Sequence, residues 1–275
     1  MKMMIYDKLF PPKKIMLANN KIVEEKRTKT PFILVLIAIG FVISVNVTGF
    51  SFATLLNRWQ EFFVILNDMI PPNIDYLPNI WKPLLDTIKM SLVGSFLGSL
   101  VAIVFALLAS SNIIKSKITA GLFKFILSVL RTLPTLVTAL IATFVFGLGT
   151  MAGTIAIFLF TLSYIGKLLY EQIENIDMGS FEALESMGLT KLQSFRYAII
   201  PEILPTYLST SLFCFEGNVR YASILGYVGA GGLGLLLNER LGWRDYSSVG
   251  MILVVLAVTV FIIERISEHF RKKLQ

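Results

Sequence analysis

Apolar residues fall along this chain in long runs parted by short polar stretches, and the run lengths predict membrane-crossing helices. Six spans are expected, at about 31–47, 84–109, 118–146, 154–169, 206–237 and 247–263. Between the first two, Phe52, Leu55, Leu56, Trp59, Phe62, Phe63, Leu66 and Met69 recur at helical spacing, with Asn57, Arg58, Glu61 and Asp68 opposite. That pattern predicts a helix lying in the outer interface without crossing, ended by PPNIDYLP at 71–78. Span 2 carries Ser91, Gly94, Ser95, Gly98, Ser99 and Ala102 at three- and four-residue spacing, which favours close helix packing. Pro134 predicts a kink in span 3, and GYVGAGGLG at 226–234 interrupts span 5.

The longest polar interruption in the C-terminal half, residues 177–205, has the design of two short helices joined at a glycine. Ser180 is the expected N-cap of the first, with Glu182 and Glu185 in its opening turns, where negative charge suits the helix dipole. Gly188 supplies a left-handed residue to end it. Thr190 and Gln193 make a T-x-x-Q capping box for the second helix, which Pro201 disturbs or ends. Phe181, Leu184 and Met187 share one face of the first helix, and Leu192, Phe195 and Ile199 one face of the second.

Composition agrees with the spans. Of 275 residues 55% are hydrophobic, mean hydropathy is +0.72, and only 16% are charged, against roughly 25% in soluble domains. The net charge of +7 sits beside the spans, which argues for orientation in a membrane and against nucleic acid. Lys2, Lys8, Lys13, Lys14, Lys21, Lys26, Arg27 and Lys29 precede span 1, and Lys115, Lys117, Lys191, Arg196, Arg271, Lys272 and Lys273 fall on the same side of a six-span topology. The opposite side holds chiefly Arg58, Lys82, Arg240 and Arg244, so both termini and residues 177–205 are expected in the cytoplasm of a multi-pass plasma-membrane protein. The expected organisation is a basic N-terminus (1–30), a first span with an interfacial helix (31–83), the main transmembrane domain (84–265) and a cytoplasmic tail (266–275). No cleavable signal is expected, since the first apolar run begins at Phe32 after a polar leader. Single residues Cys214 and His269 leave no disulfide, metal set or Ser/His/Asp constellation, so neither an enzyme nor a cofactor is expected.

From Glu182 to Pro201 the chain reads E-A-L-x-x-x-G-x9-A-x-I-P. This resembles the E-A-A-x-x-x-G-x9-I-x-L-P motif of the membrane subunits of ATP-binding-cassette importers, with Glu182, Ala183, Gly188 and Pro201 matching. A second block, FEGNVRYASILGYVGAGGLG at 215–234, resembles the fifth-span signature of phosphonate importer permeases through Glu216, Asn218, Val219, Arg220, Leu225, Gly226, Val228, Gly229, Ala230, Gly231, Gly232 and Gly234. RTLP at 131–134 and IGKLLY at 165–170 resemble further elements of the same permeases, and the likeness spans roughly 84–265. The resemblance implies an all-α, type I importer (MetI-like) permease fold acting as a homodimer in membrane lipid. It implies two copies of a cytoplasmic ATP-binding subunit, docked at Glu182, Ala183, Gly188 and Pro201, and an extracytoplasmic substrate-binding protein. The implied function is ATP-driven alternating access for phosphonates or related phosphorus oxyanions. An importer of another small solute such as methionine is the nearest alternative, and an ATP-independent secondary transporter a more distant one.

Ionised groups inside spans cost at least ~2.5–3.5 kcal/mol each at mid-membrane, so they face a partner or water. Glu216 and Arg220 stand one turn apart and either pair to fix packing or, with Arg131, line an anion route. Gly226, Gly229, Gly231 and Gly232 either allow close packing or unwind span 5 into a gate, and Asn218 belongs to the same stretch.

Overall fold

The computed structural model describes residues 14–16, 22–24 and 30–274. Most of the cations expected before the first span lie outside the described residues. Two three-residue strands, Lys14–Met16 (β1) and Ile22–Glu24 (β2), pair antiparallel with Ile15 opposite Val23, in a stretch that the polarity pattern marked only as a basic N-terminus. Among the described residues every other regular element is helical.

The chain divides after Phe63 into two compact units. The first holds Thr30–Thr48 (α1) and most of Phe52–Asp68 (α2), bent 62° from each other. Among the described residues of α1 nearly every side chain is exposed, as suits a helix apolar on all sides in lipid.

The second unit opens with a short turn of helix, Ile74–Tyr76, that runs into Leu77–Ala109 (α3). α3 begins seven residues before the expected start at Leu84, because Pro78 falls in the first turn, where its missing N–H costs nothing. Lys117–Thr132 (α4) and Thr135–Phe146 (α5) meet at 91°, a full break where a kink was expected. Pro134 forces Leu133 into an extended conformation (φ −77°, ψ 121°), and the helix ends there. Then follow Thr150–Asn175 (α6), Gly179–Ser186 (α7), Lys191–Ser194 (α8), Ile200–Leu225 (α9), Gly232–Gly242 (α10) and Tyr246–Leu274 (α11). Among the described residues four stretches are long and apolar enough to cross a membrane, and the count reaches six if each bent pair is one span. The expected tail at 266–275 is not separate: α11 continues unbroken through it to Leu274.

α3 and α6 form the spine. A Cβ on Gly94 would come within 2.8 Å of Ile157 Cγ2 and 2.9 Å of the Thr154 carbonyl, and one on Gly98 within 2.7 Å of Thr161 Cβ. Ser91, Ser95, Ser99 and Ala102 on the same stripe are all buried, as the spacing predicted. Three apolar clusters line this spine: Tyr76, Ile80, Leu84, Leu233 and Ile252 at one end; Met90, Ala156, Ile157 and Ala222 in the middle; Ala106, Leu127, Ile165, Ile173 and Ile199 at the other.

Gly98→Val is expected to destabilise the purified protein by about 2 kcal/mol or more, since α3 and α6 must separate. Gly121→Ala, in α4 with nothing within 4 Å of the added methyl, is expected to be neutral or stabilising by up to ~1 kcal/mol. Thermal unfolding of the two variants in detergent distinguishes close packing from a general intolerance of helix glycines.

Candidate functional site

Two regions carry the residues singled out by sequence. The first is the 177–205 stretch. Its opening cap is not Ser180, which lies inside α7; instead the Asp177 carboxylate accepts from the Gly179 N–H at 3.0 Å and sets the entry turn. An aspartate two residues upstream reaches a free N–H that the serine, already in the helix, does not. The far end is as expected: Gly188 is left-handed (φ +93°), its N–H bonds the Glu185 carbonyl at 2.9 Å, and the Leu189 N–H bonds the Leu184 carbonyl at 3.2 Å. Both halves of the Thr190/Gln193 capping box are formed. Pro201 disturbs the second helix without ending it. Residues Phe195–Ile199 widen into one π turn before the proline, and the helix resumes at Ile200.

This stretch presents two faces. Phe181, Phe195 and Ile199 pack on the core, whereas Met187 (68% exposed), Leu192 (79%), Glu182 and Ala183 face outward. Sequence periodicity grouped Met187 with Phe181, and Leu192 with Ile199; the structure splits each pair, leaving apolar side chains beside carboxylates on an open surface. A groove of about 770 Å³ runs alongside, lined by Asn112, Lys115, Phe181, Glu182, Lys191 and Leu192.

The second region is α9 and the link that follows it. Asn218 is buried, and its Nδ2 donates to Ser95 Oγ and Thr161 Oγ1, both at 2.8 Å, while Ser91 Oγ donates to the Asn218 carbonyl at 3.4 Å. One amide thus ties α9 to α3 and α6. Glu216 is 3% exposed and pairs with Arg220 one turn along, as its spacing predicted. It also faces Arg271 of α11, with Nη2–Oε2 at 3.5 Å, a partner that sequence reasoning assigned to a cytoplasmic tail. The missed signal was periodic: Ile263, Ile266, Phe270 and Leu274 continue the helical spacing of span 6 through the polar residues. Lys124, unnoticed as well, pairs with Glu174 at 2.7 Å, joining α4 to the end of α6.

After Leu225 the chain makes a tight turn, Gly226–Val228, and restarts as α10. Gly226 and Gly234 touch back to back, since a Cβ on Gly226 would lie 1.9 Å from the Gly234 carbonyl carbon. Gly229 and Gly231 have positive φ (76° and 78°), and the Gly229 carbonyl accepts from the Gly149 N–H at 2.9 Å. Thr87 Oγ1 accepts from the Leu233 N–H at 2.7 Å and leaves no room for a Cβ on Gly232. The glycines therefore serve close packing and a break in the span together. Arg131 stands apart from this group, exposed in the last turn of α4.

Asn218→Ala removes a donor shared by two buried hydroxyls and is expected to cost about 1–3 kcal/mol, more than Ser95→Ala. Denaturant or thermal unfolding of the two variants gives the comparison.

Residues 102–275 match the family described as binding-protein-dependent transport system inner membrane component. Two relatives from Stutzerimonas stutzeri are similar over most of their length. The putative phosphite transport system permease protein HtxC is 30% identical over 94% of this chain and 91% of its own. The phosphite transport system permease protein PtxC is 29% identical over 80% of each. Among solved structures, an inward-facing form of the MetNI methionine ABC transporter superposes with a TM-score of 0.64 at 21% identity, covering 74% of this chain and 99% of that one, a likeness of fold.

Proposed function

Because the chain belongs to the family of binding-protein-dependent transport system inner membrane components, we propose that it is the permease of an ATP-driven importer for phosphonates or related phosphorus oxyanions, phosphite included. The observation that carries the substrate class is the similarity to a phosphite permease over 80% of the chain and to a putative one over 94%. The arginines on α9 and α11 agree with an anionic cargo, since an ionised group on a spanning helix is tolerated where it meets an opposite charge or water. A methionine importer is the second reading, favoured by the MetNI likeness, which is one of fold.

In this reading two copies of the chain enclose the pathway in the plasma membrane of a prokaryote, with both termini in the cytoplasm. A binding protein delivers substrate from outside, and two ATP-binding subunits dock inside; ATP hydrolysis belongs to them and not to this chain. The docking element is α7 with α8, because the joint between the two helices is fixed by Gly188 and the Thr190 box and holds the exposed Glu182, Ala183, Met187 and Leu192 in one rigid array. Pro201 and the π turn join that array to α9 without a flexible linker, so movement of the docked subunit reaches the Glu216–Arg220 level along one helix. ATP binding in the partner then shifts the equilibrium between inward- and outward-open states through contacts that differ between them. Arg131, Glu216, Asn218, Arg220, Gly226, Gly229, Gly231 and Gly232 are assigned to the pathway and gate, Asn218 by holding α9 to its neighbours rather than by touching substrate.

Gly188→Asp strains the left-handed turn, and Glu182→Lys reverses a charge on the docking face. Each is expected to lower uptake per ATP hydrolysed by about tenfold or more while membrane insertion is unchanged. Normal coupling in both, measured in proteoliposomes, rules out this docking role. For the substrate, ATPase activity of the reconstituted transporter is expected to rise with binding protein loaded with phosphite or methylphosphonate. Stimulation by methionine-loaded protein alone selects the second reading.

A further inference from the structure

Glu216 sits at the meeting of two guanidinium groups from different helices. Arg220 approaches from the next turn of α9, and Arg271 reaches it from the end of α11, its guanidinium lying 5.6 Å from the Phe213 ring centroid. The carboxylate is 3% exposed, so it is shielded from solvent and shared. The Arg220 side chain is 53% exposed and that of Arg271 25%. One negative charge against two positive ones leaves the cluster at a formal +1. The buried Nε of Arg271 also has no acceptor. A cluster built only to fasten α11 to α9 needs one arginine; the second adds a charge near which stands Glu268, one turn back and already paired with Arg265 and Lys272, and it leaves the Nε donor without an acceptor.

Guanidinium pairs are suited to tetrahedral oxyanions, whose several oxygens accept from planar, fixed N–H groups. The geometry points to Arg271 as a further member of the anion route: with Arg220 it forms a two-guanidinium subsite for a phosphorus oxyanion, and the Glu216 carboxylate is the counter-ion held there between transport events. This rests on the substrate class proposed above. Binding of the oxyanion displaces the carboxylate from one or both guanidiniums, and its departure lets Glu216 close again. Reclosure by an attached carboxylate keeps the subsite from retaining its cargo, because a tethered competitor acts at high effective concentration. The same exchange loosens α11 from α9 only while the anion is present.

The test is anion binding by the permease–ATPase complex in nanodiscs without binding protein, read as the phosphite concentration that gives half the maximal rise in thermal midpoint at constant ionic strength. For Arg271→Gln that concentration is expected to rise about tenfold, the size of one charge-assisted hydrogen bond. For Arg271→Lys, which keeps the charge but loses the planar fork, it is expected to fall between the parent and Arg271→Gln, a rise of about threefold. Glu216→Gln, which removes the competitor, is expected to lower it about tenfold. An Arg271→Gln complex that answers the same phosphite concentration as the parent, whatever its midpoint without phosphite, reduces Arg271 to a fastening residue and overturns the subsite. If Arg271→Gln does not assemble, Glu216→Gln decides alone, and an unchanged phosphite concentration overturns the proposal. The binding-protein assay above does not depend on Arg271, so a parent complex that is stimulated by phosphite-loaded protein yet shows no phosphite response here fails the subsite and leaves the substrate class standing.

Discussion

A side chain at Gly94 or Gly98 has nowhere to go, because Ile157, Thr154, Thr161 and the Phe158 carbonyl of α6 occupy the space where its Cβ would stand. In lipid there is little hydrophobic gain in bringing two apolar helices together, so the contact must come from close packing and from polar groups that find partners. α3 and α6 use both. Their backbones approach over the small-residue stripe, and the Asn218 amide of α9 donates to a hydroxyl on each. The placement of α9 follows from this junction. Asn218 fixes the rotation of α9, that rotation turns Glu216 toward α11, and the Gly226–Gly234 contact then sets where the span breaks and α10 begins.

The charges obey the same constraint. Lys124 answers Glu174 at one end of the bundle, and Arg240 donates to Tyr76 Oη at 2.9 Å while stacking on its ring at the other. Each of these cations meets at least one carboxylate of its own, Arg240 through Glu239 at 3.6 Å and Asp245 at 3.7 Å. The Glu216 cluster is not balanced, and it lies on the helix that runs on from the capped α7–α8 stretch. In the proposed reading, a rigid element at one end of α9 and a carboxylate shared by two arginines farther along it suit a transporter of anions driven from one side.

Much of this was legible in the sequence because it rests on local rules. Gly188 ends α7 and Thr190 with Gln193 starts α8 through contacts made within a few residues, and the Glu216–Arg220 pair needs only one helical turn. The stripe from Ser91 to Ala102 was legible for a similar reason, since small residues at three- and four-residue spacing have few other uses in a span. What was missed depends on tertiary placement. Nothing near Ser95 or Thr161 says that Asn218 will meet them across gaps of 123 and 57 residues. Arg271 resembled the other cations of a basic tail until α11 proved continuous. A kink at Pro134 was expected, but the 91° break between α4 and α5 was not. Ser180 fits a cap by residue type, whereas the helix enters one residue earlier and Asp177 sets its turn.

The central claim is that the outward face of α7 and α8 is where an ATP-binding subunit pushes. The chain's one native cysteine, Cys214, is buried in α9, so an added surface thiol is effectively the sole reactive one. Met187→Cys on that face and Trp243→Cys beyond α10, both at strongly exposed positions, can each be treated with a short heterobifunctional reagent, thiol-reactive at one end and photoreactive at the other, in membranes containing the co-expressed ATP-binding subunit. The account predicts a cross-linked permease–ATPase species from position 187 and none from position 243. A cross-link from position 243, or equal silence at both in membranes where the assembled complex hydrolyses ATP on substrate delivery, contradicts it.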